Sequence, residues 1–124
     1  MASLPDFMTL RLAEAVEKLP AGDIDRLPFG VIGLDPLAIV RTFNKTEAQQ
    51  SGFGERARGK DFFLDVAPCM KNGYFTGRIE KARAAGTLDI SFSFVGDFSD
   101  HDREITVRVQ SASDGGTWIF HQRA

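Results

Sequence analysis

The last third of the chain alternates apolar and polar residues with a period of two, a pattern that suits strands and not helices. Leu88, Ile90, Phe92 and Phe94 fall on one side of an extended segment, with Asp89, Ser91 and Ser93 on the other. Ser99-Asp100-His101-Asp102 reads as a turn, after which Glu104 to Ser111 alternates again with Ile105, Val107 and Val109 inward. Asp114-Gly115-Gly116 makes a tight hairpin turn, and Thr117 to His121 is the closing strand.

Upstream, Phe29 to Leu34 is apolar and partly β-branched, Asp35-Pro36 turns the chain, and Leu37 to Phe43 returns as an antiparallel partner. Asn44 to Gln50 reads as a short helix closed by Ser51-Gly52, with a loop over Phe53 to Arg58. Tyr74 to Ala85 places Phe75, Ile79 and Ala82 on one helical stripe, and Gly86 stops it. At the start, a helix over residues 6–18 carries Phe7, Leu10, Val16 and Leu19 near one face, and Pro20 and Gly22 end it. Asp23 to Leu27 forms one short turn. The expected division is an N-terminal helical cap over residues 1–28 and a core over 29–124, one domain overall. The hairpin and the three later strands join into one five-stranded antiparallel sheet with helices over one face, an α+β architecture.

The 124 residues include eleven Phe against one Trp and one Tyr, so rings without hydrogen-bonding groups dominate the core or a pocket within it. A formal net charge of -2, with Lys and Arg scattered, supplies no field for nucleic acid. No apolar stretch reaches bilayer length, and Met1 to Leu10 lacks a secretory leader. A single cysteine forms no internal disulfide, and a reducing cytoplasm is the expected location. His101 and His121 lie far apart with no flanking pattern for a Cys–His nucleophilic pair, and no cluster has metal-ligand spacing, so neither an enzyme nor a metal site is expected.

The run GKDFFLDVAPC, residues 59–69, resembles the photoactive yellow protein family in Gly59, Lys60, Phe62, Phe63, Asp65, Val66, Ala67, Pro68 and Cys69. Leu27, Phe29-Gly30, Leu34-Asp35, Asn44, Glu47, Gly52, Phe75, Gly77, Gly86, Leu88, Trp118 and Phe120 extend the likeness over nearly the whole chain. The resemblance implies a PAS fold and a blue-light photoreceptor in sensory transduction. It also implies that Cys69 holds 4-hydroxycinnamic acid (p-coumaric acid) through a thioester. A lone cysteine is ordinarily a small buried hydrophobe; the motif around this one implies a ligating role. Phe62, Val66, Phe94 and Phe98 are core residues that the resemblance also makes walls of the chromophore pocket.

Glu47 has two readings. It stands three residues after Asn44, the spacing of a capping box. The resemblance instead turns it inward as a buried, protonated acid that donates to the chromophore's phenolate and passes it a proton after light-driven isomerisation. Several family positions differ here: Phe43 stands where the family has a tyrosine donor, Ser51 where it has a threonine, and Phe53 where it has an arginine. Arg56 or Arg58 serves as that arginine if the loop is shifted. Phe94 and Phe98 replace tyrosines, Gly96 a phenylalanine and Asp100 a methionine. A hydrogen bond to a charged group contributes about 1.5–3 kcal/mol, so losing the hydroxyl at Phe43 raises the phenol's pKa by about 1–2 units. The expectation is near-ultraviolet absorption at neutral pH, with a blue band growing as pH rises, and Ser51 as a replacement donor. The second reading is a non-photoactive PAS ligand-binding or protein-interaction module, with no chromophore or with a different ligand. No output domain appears in the sequence, so the expected signal passes to another protein or to self-association.

Overall fold

The computed structural model describes residues 4–71, 73–86, 88–97 and 100–123, with positions 69, 96, 97 and 100–102 described by backbone alone. Five strands form one antiparallel sheet: β1 (Gly30–Leu34), β2 (Val40–Phe43), β3 (Asp89–Asp97), β4 (Asp100–Ser111) and β5 (Thr117–Arg123). The order is β2-β1-β5-β4-β3, so the first hairpin docks on the last strand. Residues of β1 and β5 alternate between two apolar cores, while β4 gives Ile105, Val107 and Val109 to one and turns Arg108 and Gln110 to the other side. Ile32, Leu34, Val107, Val109 and Ile119 face one core. Phe29, Val31, Trp118 and Phe120 face another on the opposite side.

The first core is covered by α3 (Lys45–Ser51), α4 (Thr76–Ala84) and the irregular segment Phe62–Met70, which contribute Ala48, Phe62, Val66, Met70 and Ile79. The second is covered by α1 (Leu12–Glu17) and α2 (Ala21–Ile24) with the turn before them, through Phe7, Leu12, Ala13, Val16 and Ile24. Helices therefore lie on one face as expected, and the N-terminal residues close the other. Among the described residues no helix is long and apolar enough to cross a membrane.

Three boundaries move for local reasons. The first helix starts only at Leu12, because the Asp6 carboxylate accepts from Met8 N (2.9 Å) and Thr9 Oγ1 from Asp6 N (3.1 Å), which locks residues 6–9 into a turn. Leu10 is consequently 79% exposed instead of packed, while Phe7 reaches the sheet from that turn at 3% exposure. The second strand starts at Val40 rather than Leu37, since Asp35 Oδ1 accepts from Leu37 N (2.8 Å) and Ile39 N (2.9 Å) and extends the turn. Asp97 pairs with Asp100, so Asp100 to Asp102 belong to β4 rather than to the expected turn; Ser99 lies outside the described residues.

Candidate functional site

Asn44 organises the approach to the site. Its Oδ1 accepts from Val31 N (2.9 Å) and from Glu47 N (3.0 Å), and its Nδ2 donates to Ile24 O (2.9 Å) and Phe29 O (3.1 Å). One buried amide thus caps α3 and ties it to β1 and to the N-terminal segment. Gly52, in the left-handed region at φ 75°, ends the helix. The cap fixes the direction of Glu47, which is fully buried.

The Glu47 side chain does not reach back to its cap. It crosses β1 at Gly30, where an added Cβ would lie 1.9 Å from Oε1, and meets two residues of β5. Arg123 donates from Nη1 to Oε1 (2.8 Å) and from Nη2 to Oε2 (3.0 Å), a bidentate pair. His121 Nδ1 stands 3.3 Å from Oε2. Burial pushes the Glu47 carboxyl upward, but the charge and hydrogen bond of His121 and those of Arg123 outweigh it and hold the group at about 2. The geometry therefore pairs Glu47 as a carboxylate, whereas the protonated donor that the resemblance implies belongs to the chromophore-bound protein. The other imidazole nitrogen, His121 Nε2, is buried and has no hydrogen-bond partner among the described residues.

The remaining expected site residues lie in the first core, at the end of α3, or outside the described residues. Phe43, Phe62, Val66 and Phe94 all lie buried in the same core as the helices that flank Glu47. Phe75 bridges the two regions, edge-on to His121 at 6.3 Å and to Phe94 at 5.3 Å between ring centroids. Ser51 is buried, and its Oγ accepts from Phe53 N (3.2 Å), a local role in the helix end. Phe53 packs edge-on to Phe43 at 6.4 Å, and the Arg56 guanidinium lies 4.8 Å from the Phe53 centroid on the exposed side. Arg56 therefore covers the ring at the position where the resemblance expects an arginine. Cys69 lies on the short helix Pro68–Met70, between buried Ala67 and buried Met70; its thiol is outside the described residues, as are Phe98 and the side chain of Asp100.

The run that ends at Cys69 is positioned by backbone bonds to β2 and its approach: Gly59 N donates to Val40 O (2.9 Å) and Phe62 N to Ala38 O (2.9 Å). Asp61 then caps the next turn by accepting from Phe63 N and Leu64 N (3.1 Å each). Sequence reasoning missed His121 and Arg123 as site residues. The available signal was their inward register with Ile119 on β5, where two polar residues continue an apolar face.

A five-stranded antiparallel sheet in this order, with short helices and an irregular segment around a buried polar cluster, defines a PAS domain. The PAS domain of an HTR-like protein from Haloarcula marismortui shares the fold, with a TM-score of 0.59 at 13% identity, covering 90% of this chain and 98% of that one. The photoactive yellow protein domain of the sensor histidine kinase Ppr from Rhodospirillum centenum superposes with a TM-score of 0.79 at 34% identity, covering 90% and 99% of the two chains. Photoactive yellow protein of Rhodothalassium salexigens is 32% identical over 114 residues, 90% of this chain and 91% of its own. That of Halochromatium salexigens is 36% identical over 103 residues, 82% of each. No protein-family model matches the chain. The chain belongs to the photoactive yellow protein family.

Proposed function

We propose that the chain is a light sensor carrying a 4-hydroxycinnamoyl group as a thioester on Cys69. One observation supports this above the others: the charged cluster of Glu47, His121 and Arg123 is buried beside an aromatic core and keeps one imidazole nitrogen unpartnered. Charge buried in this way is costly for stability alone. A flat ligand with one polar end suits such a core, with Phe62, Val66 and Phe94 along its apolar length and the cluster at its oxygen. Membership of the family supports the same reading.

Attachment requires the Cys69 thiolate to attack the carbonyl carbon of an activated thioester of the acid; a new C–S bond forms and the departing thiolate takes up the proton that Cys69 released. Once bound, the group supplies absorption and light-driven isomerisation about its vinyl bond. Glu47 holds His121 and Arg123 in place; as a carboxylate it has no proton to give, and it passes one on only after its pair with Arg123 has been broken and it has itself taken up a proton. A change of charge at this cluster is felt along β5, where His121 faces one core and Phe120 the other. Residues 1–28 form the cap that loosens in response, and another protein or a second copy reads the change.

The test is incubation of the purified chain with activated 4-hydroxycinnamic acid, followed by intact mass and absorbance in darkness and under illumination. A stable adduct that is lost in Cys69→Ala, with reversible bleaching in light, is the expected result. An adduct without bleaching makes the chain a ligand carrier. No adduct makes it a PAS interaction module, the reading that the missing hydroxyl at Phe43 favours.

A further inference from the structure

His121 Nε2 is the one buried side-chain polar atom found without a partner among the described residues, and it belongs to a ring whose other nitrogen is engaged. Each Glu47 oxygen already receives an Arg123 N–H, and Oε2 also faces His121 Nδ1. Phe43 has no polar atom, and the Ser51 Oγ accepts from Phe53 N at the end of α3, which uses its acceptor side and leaves its O–H to donate. The ring itself stands between Glu47 and Phe75, and Phe75 touches Phe94, one of the apolar walls. Its neighbours in register on the flanking strands are Gly30 on β1 and Val107 on β4, neither of which offers a polar side chain. Among the described residues the charged group against the ring is Glu47 on α3, which is itself paired with Arg123 on β5.

We propose that His121 Nε2 is the hydrogen-bonding partner of the phenolic oxygen of the ligand held on Cys69. The inference rests on the light-sensor reading and names the side chain that replaces the hydroxyl missing at Phe43. The proton logic follows from Glu47. An ionised carboxylate only accepts, so Nδ1 carries a hydrogen, which leaves Nε2 an acceptor on a neutral ring and a donor on a protonated one. In both cases a single proton lies between the imidazole and the phenolic oxygen. The pair is either phenol with imidazole or phenolate with imidazolium. The second form retains the blue band at a lower pH than the loss of the tyrosine hydroxyl alone would allow.

The experiment compares the wild-type chain with His121→Phe and His121→Gln after loading with activated 4-hydroxycinnamic acid. Intact mass establishes whether each carries the Cys69 adduct, and a dark pH titration follows conversion of the near-ultraviolet band to the blue band. With Nε2 donating to the phenolate, the form that retains the blue band, the expected midpoint is higher by about one to two pH units in His121→Phe, with His121→Gln between, since an amide retains part of the hydrogen-bonding capacity. A lower midpoint in His121→Phe overturns the donor role. In the wild-type chain the ¹⁵N resonance of His121 Nε2 shifts on loading while Nδ1 stays. That ring signal is read without any variant, so it holds even if His121→Phe does not fold. Equal midpoints in loaded proteins, or an Nε2 resonance that does not move, overturn the assignment and leave the light-sensor reading intact. Absence of an adduct on the wild-type chain overturns both.

Discussion

Burial alone favours a neutral carboxyl at position 47, and the structure pairs it instead, with two guanidinium hydrogen bonds and an imidazole supplied by β5. Gly30 makes this possible, because any side chain there would occupy the space of Oε1. Removing one member of a buried pair leaves the other charge unsatisfied. Arg123→Met is therefore expected to cost about 3–5 kcal/mol of unfolding free energy, read by urea denaturation. Glu47→Gln combined with Arg123→Met is expected to lie nearer the wild type than the single changes sum to. At this scale the sequence was readable wherever a signal was local. The Asn44-x-x-Glu47 spacing announced the cap of α3, and the 59–69 run announced the family. The partners of Glu47 were not readable, since His121 and Arg123 stand 74 and 76 residues away and only sheet order brings them close.

The N-terminal helices adhere to the sheet through apolar packing and a set of polar anchors from β4 and β5. Arg108 donates to the carbonyls of Phe7 (2.6 Å), Thr9 (2.7 Å) and Leu10 (3.2 Å). Gln110 donates to Leu10 O (3.1 Å) and accepts from Ala13 N (2.7 Å), and Trp118 Nε1 donates to Glu17 Oε2 (2.7 Å). Hydrogen bonds to a charged group such as the Arg108 guanidinium contribute about 1.5–3 kcal/mol, net of the bonds exchanged with water. Arg108→Ala is accordingly expected to lower the local opening free energy of residues 4–17 by about 1–3 kcal/mol, with smaller changes in β1 and β5. Amide hydrogen exchange resolves the two regions; uniform protection across both would contradict it. Period-two patterning made the strands legible. Helix α1 was overextended because the apolar spacing continues back to Phe7, while the turn bonds of Asp6 and Thr9 override it.

Across the whole molecule, one sheet separates two cores, and β5 is the strand shared by the buried cluster and the cap side. The overall α+β architecture followed from pattern alone, and the family from the run ending at Cys69. The charge state of the site did not, because it depends on which groups meet after folding. The part assigned to His121 and the acid stability of the chain share one premise, a charged Glu47. Its carboxyl lies at about 2 against an ordinary value of 4.5, so between these values the unfolded chain binds more protons than the folded one. The stabilisation, on the order of 3 kcal/mol, is complete above the unfolded value and is lost as pH falls toward the folded one. An infrared titration of the unloaded protein, with the Glu47 carboxyl isolated by subtraction of Glu47→Gln, reads this premise directly. The expected result is a carboxylate from neutral pH down to about pH 3, protonated only as stability itself declines. A protonated carboxyl at neutral pH that disappears in Glu47→Gln would contradict it.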